Sequence, residues 1–397
     1  MIYLAFADYE SLCLKGVAPD GIIKRDEGGF FDKIIHVHIA ASKTQIIKLN
    51  DAHVIYEYGL DIIPGAADSR FIQYLQAPLY LLNVIIKLAK LVRKERIDLI
   101  RGVDPYWCGL IAWICSKLIG VPFCISIHAD YDKCYALTGR GISITILGSR
   151  KFAKFLEHAV LSRANLVMPI RESLAYIALQ NGANPNNVRV IPHGIDTSPF
   201  KRPPKLDIFE HFGLQRGRKI ISFAGRLVDE NYVDDILLLI EKLLEKRNDF
   251  ILIMAGGGPK EQIYRKRLAQ NSELNNVIRL IGFQPNEIVI ELRRASTVNL
   301  CLMAGFSLIE SCAAGRPVVS YDVEWHYELV RNNETGFLIP EHDINGLVES
   351  VSYLLDYPDE ADRMGRVAQA LVFEKHDISK TSVVKHRCYE EMLLGLR

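Results

Sequence analysis

No C-x-x-C pair occurs anywhere in the 397 residues, and the eight cysteines (Cys13, Cys108, Cys115, Cys124, Cys134, Cys301, Cys312, Cys388) form no His/Cys cluster at zinc spacing. That excludes a zinc ribbon and a dithiol redox motif, and leaves reduced, mostly buried thiols as the expectation. No charge of one sign prevails: 48 Lys plus Arg stand against 47 Asp plus Glu. A nucleic-acid partner is therefore not expected, and any phosphate binding must be local. Long apolar runs are missing too. The most apolar window, residues 106–127, carries Lys117 and is broken by Gly120 and Pro122, so it predicts a buried helix followed by a strand rather than a membrane span. The opening MIYLAF meets Asp8 and Glu10 at once, without the basic start, apolar run and cleavage site of a signal peptide, which predicts a cytoplasmic protein. No G-x-G-x-x-G opens the first strand, which disfavours a Rossmann dehydrogenase.

What is present is the composition of a folded protein, 49% hydrophobic and 24% charged, at a length that suggests two cores. From about residue 97, short β-rich runs alternate with helical periods: strands at 98–101, 122–127, 165–169 and 188–191, helices at 79–96 and 170–180. The runs 34–39 and 54–58 read as strands, whereas 15–29 has no clear period. The polar, proline-bearing segment DTSPFKRPPK (196–205) reads as a linker. A second winding follows, with strands at 219–223, 250–255, 277–281, 298–302 and 317–321, and helices at 233–246, 260–270 and 286–295. The expected organisation is an α/β chain of two Rossmann-like domains facing each other across a cleft. Residues 1–196 and 197–375 would form the two domains, and a closing helix is expected at 376–397.

Three stretches of the second half carry chemistry. In ISFAGRLVDENYVDD (221–235) a strand runs into Gly225 and Arg226 before a helix; glycine admits a phosphate close to the backbone and arginine supplies fixed donors. A glycine turn followed by a surface arginine is the bland alternative. MAGGGP (254–259) ends a strand in glycines, Gly257 among them, ahead of a helix, so that amides can face an anion or the glycines can simply serve a tight turn. AGFSLIESCAAGRPVVS (304–320) places Glu310 in a helix whose neighbours Leu308, Ile309, Cys312 and Ala313 are apolar or small. A carboxylate there can accept hydrogen bonds from the vicinal hydroxyls of a ribose. A solvated helix residue is the alternative, yet a lone charge in so apolar a helix would be costly to bury.

Taken with IGFQPNE (281–287), TGFLIP (335–340), RGVDPYWCG (101–109), GVPFCISIHADYD (120–132), EHAVLSRANLVM (157–168) and VRVIPHGID (188–196), these stretches resemble the retaining glycosyltransferases of family 4, in order and spacing across both halves. The resemblance implies the two-domain GT-B fold, with residues 1–196 as the acceptor side, 197–375 binding the nucleotide sugar and the closing helix 376–397 packing back on the first domain. It also implies transfer of a sugar from a nucleotide-diphosphate sugar (UDP, GDP or dTDP) to a glycan, lipid-linked or small-molecule acceptor, as in polysaccharide biosynthesis. It implies no cofactor and no metal. On this likeness Arg226 binds the donor diphosphate and stabilises the leaving group, Glu310 holds the ribose, and His128 stands beside the transferred sugar as the third catalytic residue. The backbone at Gly282, Phe283 and Gln284 would meet the base. Gly225, Asn231 and Gly257, with the amides of Gly305, Phe306 and Ser307, would line the phosphate and sugar. A strand-end histidine is more often a structural hydrogen-bonder, and His193, where the family often has asparagine, reads as shaping the turn before the linker. Without two carboxylates about 5 Å apart, retention would follow a front-face displacement in which the leaving phosphate takes the acceptor's proton.

Two positions depart from the family pattern. Where Glu-Lys-Gly is usual, this chain has Glu230, Asn231 and Tyr232, so a phosphate-binding lysine is missing, for which Arg316 or a cation of the first domain could substitute. Eight positions before Glu310, where a first glutamate is usual, stands Leu302; Asp322, Glu324 or His326 could supply a side chain, although a solvated loop is the simpler reading. These departures keep open a catalytically degenerate module that binds or regulates, and a nucleotide-sugar epimerase is a further alternative. In SRKFAKFLEH (149–158), Arg150, Lys151 and Lys154 interleave with Phe152 and Phe155, a stretch able to lie on anionic lipid at the inner membrane face, although an amphipathic core helix is favoured.

Overall fold

The computed structural model describes residues 1–14, 18–23, 27–59, 70–133 and 150–395, so Cys134 and parts of the segment 15–29 lie outside the described residues. The chain divides into two units: Met1–Pro192 together with Ser382 onward, and His193–Thr381.

The first unit is built on a seven-stranded sheet in the order β3-β4-β2-β1-β5-β6-β7. Its strands are β1 (Ile2–Ala5), β2 (Ile34–Ala41), β3 (Gln45–Lys48), β4 (His53–Gly59), β5 (Ile100–Gly102), β6 (Phe123–Ile127) and β7 (Leu166–Pro169). All pairings are parallel except that of the edge strand β3 with β4. Helices α1 (Arg70–Lys94), α2 (Trp107–Ile119), α3 (Arg150–Leu161) and α4 (Glu172–Gln180) belong to this unit. The apolar window found in the sequence is α2 followed by β6; Gly120, at φ 82°, caps the helix in the left-handed conformation glycine tolerates. Residues 188–191 do not form the expected strand. Only Val188 forms a bridge, to Val167, although the Arg189 and Ile191 amides still donate to Val167 O and Pro169 O of β7 at 3.0 and 2.9 Å.

The second unit carries six strands, all parallel, in the order β10-β9-β8-β11-β12-β13. They are β8 (Lys219–Ala224), β9 (Phe250–Ala255), β10 (Ile278–Gly282), β11 (Val298–Leu300), β12 (Val318–Tyr321) and β13 (Gly336–Ile339). Every residue of β9 is buried, as a central parallel strand covered on both faces requires. The covering helices are α5 (Val233–Leu244), α6 (Glu261–Gln270), α7 (Asn286–Ala295), α8 (Phe306–Ala313), α9 (Ile344–Asp356) and α10 (Pro358–Lys375). In α5 the buried Val233, Ile236, Leu237, Ile240 and Leu243 recur at helical spacing along one face. Counted within the unit, the strand order is 3-2-1-4-5-6, the doubly wound order that opens a crevice where the winding reverses, between β8 and β11.

Helix α11 (Ile378–Leu394) starts in the second unit and continues in the first. Within the first unit Tyr389 is fully buried and accepts a 2.9 Å hydrogen bond from the Arg101 guanidinium, which also donates to Ser126 Oγ at 2.7 Å. Among the described residues no helix is long and apolar enough to cross a membrane.

Candidate functional site

The crevice at the reversal of the second sheet is occupied by a cavity of about 170 Å³, lined by Ala224, Gly225, Asn231, Cys301, Ala304 and Ser307 among others. Beside it, the ends of β8, β9 and β10 stay laced together beyond the sheet. The Gly225 amide donates to Ala255 O at 3.0 Å, the Leu227 amide to Gly257 O at 2.9 Å, and the Gly256 amide to Gly282 O at 2.7 Å. Glycine is required where these turns touch. A Cβ at Gly256 (φ 131°) would stand 2.0 Å from Gly225 O, and one at Gly258 (φ 158°) 2.5 Å from Leu227 O. Gly257 itself carries the carbonyl that ties down Leu227.

Arg226 leaves the end of β8 with its side chain exposed, while its carbonyl accepts a 2.7 Å bond from Asn231 Nδ2. Asn231 therefore closes the turn that displays Arg226. The next residue, Tyr232, holds φ 53°, a left-handed geometry uncommon for a bulky side chain. Its hydroxyl donates to Glu341, and its ring lies edge-on to Tyr321 at 5.0 Å. On the other flank Gly282 takes φ 68°, Phe283 projects 88% exposed, and Gln284 Nε2 donates to Ile281 O at 2.6 Å.

The loop after β11 forms the opposite wall. Gly305 precedes α8, Phe306 is half exposed with its ring 4.7 Å from that of His193, and Ser307 Oγ donates to Ala224 O at 2.8 Å. Glu310 is not the lone charge its sequence neighbours imply. The buried Arg293 of α7 donates to Glu310 Oε2 and, at 2.7 Å, to Ser307 Oγ. Leu302 is fully buried in the core, so its position offers no substitute for a carboxylate. His326 is also fully buried. Its Nδ1 lies 2.6 Å from Ser320 Oγ, and its Nε2 lies 3.2 Å from the Ala304 amide nitrogen and 3.1 Å from the Ala304 carbonyl oxygen. His326 thus anchors the loop from behind. Asp322 and Glu324 are exposed.

Arg316 does not replace the missing lysine. It sits ahead of the amino end of β12, whereas the cavity lies at the carboxyl ends, and its guanidinium is held by Asp362 and by Arg294 O. In the first unit His128 follows β6, half-buried. Nearby, the carboxyl of Asp104, after β5, is pushed up by burial against hydrogen bonds from the Cys108 side chain and the Tyr106 and Cys108 amides. Phe152 and Phe155 are 48% and 67% exposed on α3, while Lys154 is engaged by Asp132 and Glu157, both at 2.9 Å. The described cysteines form no disulfide, and all but Cys13 are buried; burial pushes the Cys115 thiol up to about 12. Among the described residues no three His, Cys, Asp or Glu side chains gather to hold a metal.

Gly225, Asn231, Gly305 and Ser307 thus line one cavity, and Glu310 joins them through Arg293. The residue that sequence reasoning missed is Arg293. Its signal was its place in ELRRA, three residues after the buried Ile290 and so on the inward face of α7.

A doubly wound sheet with glycine-bearing strand ends and a cavity at its reversal is the arrangement in which open α/β sheets bind ligands, here in a chain of two α/β units. Comparison with known proteins gives the family. Residues 205–371 match the model of the glycosyl transferases group 1, and residues 35–199 that of glycosyltransferase family 4, so that together the two span most of the chain. The protein belongs to the group 1 glycosyltransferases, enzymes of GT-B fold that use nucleotide-sugar donors. A 2-deoxystreptamine glucosyltransferase of Streptomyces kanamyceticus is 25% identical over 289 residues, 70% of this chain and 73% of the relative. A D-inositol 3-phosphate glycosyltransferase of Thermobispora bispora is 25% identical over 295 residues, 70% and 67% of the two chains. In fold, the sucrose-phosphate synthase of Thermosynechococcus elongatus matches with a TM-score of 0.71 at 16% identity over 99% of both chains. Anabaena Alr3699/HepE in complex with UDP matches with 0.71 at 17% identity, over 98% of this chain and 99% of that one.

Proposed function

We propose that this glycosyltransferase moves a hexose from a nucleoside diphosphate sugar, UDP being the first candidate nucleotide, to a hydroxyl of a polar acceptor, with retention and without a metal ion. The observation that carries the reading is the cavity at the β8/β11 reversal, walled by Gly225 and Asn231 on one side and by Ala304, Gly305 and Ser307 on the other. In this reading Arg226 and the amides of Gly305, Phe306 and Ser307 meet the diphosphate. Glu310 accepts from the ribose, and the exposed backbone around Gly282, Phe283 and Gln284 meets the base. His128 borders the transferred sugar. The bond between the anomeric carbon and the phosphate oxygen breaks, the acceptor oxygen bonds to that carbon on the same face, and the acceptor's proton passes to the leaving phosphate. Arg226 then offsets charge that grows as the bond breaks, which is where a fixed cation accelerates most.

UDP is favoured by the fold neighbour solved with it, and a polyhydroxylated cyclic acceptor by the two relatives named for 2-deoxystreptamine and inositol 3-phosphate. If the acceptor is lipid-linked, the exposed Phe152 and Phe155 beside Lys151 provide a peripheral foothold on anionic lipid. The test is a thermal-shift series with UDP, GDP, ADP and dTDP, followed by transfer from the matching sugar donor with the product's anomeric configuration read by NMR, with and without EDTA. A shift with one nucleotide, a retained anomer and EDTA-insensitive turnover are the expected results. No shift with any nucleotide, an inverted product, or activity lost to EDTA would each remove the corresponding part of the proposal.

A further inference from the structure

We propose that Arg293 is the positioning residue of the donor site, a buried guanidinium that braces the Glu310 carboxylate against the Ser307 hydroxyl in the orientation in which the carboxylate reads a ribose diol. The inference rests on the reading that Glu310 meets the ribose, and it assigns the device that makes this possible.

Arg293 lies near the end of α7, its side chain 3% exposed, with Nη1 on Glu310 Oε2 and Nη2 on Ser307 Oγ. The two terminal nitrogens of one planar fork thus grip two residues of α8 that stand three positions apart. Ser307 has one hydroxyl proton, which it gives to Ala224 O, so it accepts from Arg293 and both of its roles are spoken for. Ala224 and Ser307 both line the cavity. The guanidinium therefore ties the carboxylate, the hydroxyl and the end of β8 into one rigid piece. A lysine could place a point charge there but not this spacing.

A pair serving stability alone would be a poor use of two charges, because removing both from water costs about as much as their attraction returns. This pair is built asymmetrically. Arg293 is sealed, whereas the Glu310 side chain keeps 25% of its surface open, and among the described residues no hydrogen bond reaches its Oε1. One carboxylate oxygen is thus spent on orientation and the other remains to accept. Glu310 is flanked by the buried Leu308, Ile309, Ser311 and Cys312. Without the guanidinium its charge would have no fixed partner in that helix, and the carboxylate would turn away to water.

The test measures affinity for UDP and GDP against their 2′-deoxy and 3′-deoxy counterparts by calorimetry, in the wild type, Arg293→Met, Arg293→Lys and Glu310→Gln, with melting temperatures alongside. The wild type should prefer the ribonucleotide by about tenfold or more, the weight of one charge-assisted hydrogen bond. Arg293→Met and Glu310→Gln should both bring that preference close to parity. Arg293→Lys should recover much of the melting temperature but not the preference, and it also supplies the measurement should Arg293→Met fail to fold. A purely structural arginine would lower the melting temperature and leave the ratio of ribo to deoxy affinities unchanged; that result overturns the proposal. A wild type that binds nucleotide but ignores the hydroxyls would instead remove the ribose role of Glu310, and the proposal with it, before Arg293 is touched.

Discussion

Replacing Gly256 by alanine should damage the donor site without replacing any residue that is proposed to bind the donor. The new Cβ would stand 2.0 Å from Gly225 O, where ordinary contact begins at 3.4 Å, so the Gly225 turn must retreat by about 1.4 Å. Two costs follow. Holding a non-glycine residue at φ 131° costs on the order of 1–2 kcal/mol. The retreat also breaks one or both of the bonds Gly225 N to Ala255 O and Leu227 N to Gly257 O, each worth about 1 kcal/mol. A loss of roughly 3 kcal/mol in a unit of this size lowers its melting temperature by about 6–12 °C. Because the displaced turn carries Arg226, turnover should fall by about a hundredfold, the penalty of a shift near 1 Å at a reacting centre. The control is Gly217→Ala, where φ is 91° but nothing lies within 4 Å of the new Cβ, so only the conformational cost applies. The assay is thermal unfolding and steady-state transfer of both variants beside the wild type. If Gly256→Ala loses no more stability than Gly217→Ala and keeps its turnover, the lacing of the strand ends does not set the donor site.

Arg226→Ala should lower kcat by about a hundred- to a thousandfold with an unchanged melting temperature, as removal of a donor aimed at transition-state charge does; near-normal transfer would end its assigned role. Asn231→Lys should tighten UDP binding, measured by calorimetry, if the turn has lost only a charge, although the Asn231 bond to Arg226 O is given up in exchange. Unchanged affinity would mean that another cation already serves the diphosphate. His376 is held below its ordinary 6.5 by burial, against the bond it donates to His193 O at 2.8 Å and with Lys375 adding to the depression. It is neutral in the fold, so its stabilising contribution is complete above 6.5. As pH falls from 6.5 towards its lowered folded value, the unfolded chain takes up a proton that the folded chain refuses, and stability declines. His376→Gln should flatten that part of the pH–stability curve, and an unaltered slope would assign it to other groups.

The winding was legible because its strands are short and mostly apolar: residues 250–255 cannot be taken for one face of a helix when charged, periodic segments flank them. Less legible were β1 and β3. The first is four residues long, and the second is an antiparallel edge strand whose exposure alternates over two polar and two apolar positions, too brief to set a period. Residues 188–191 had the composition of a strand and lie along β7, but they form a single bridge and two amide bonds there, short of a full ladder. At the site, the glycine-bearing loops and Glu310 could be picked out because their residue types are restrictive. The Arg293 pairing could not, because 17 positions and the packing of two helices separate the partners. Arg316 was misjudged for the complementary reason. Its distance along the chain from Glu310 is short, but it stands ahead of a strand, and in a parallel sheet that places it at the edge opposite the cavity.

The return of α11 to the first unit has a consequence for the order in which the molecule can be made. A ribosome delivers residues 1–192 early, but the buried guanidinium of Arg101 waits for the hydroxyl of Tyr389, which emerges only after the whole second unit has been synthesised. Until then a cationic group in the middle of the first sheet, and the apolar surface that Cys388, Tyr389 and Met392 will cover, remain open to water. The second unit can therefore close first although it is encoded second, and the nascent first unit is the species on which a chaperone would act longest.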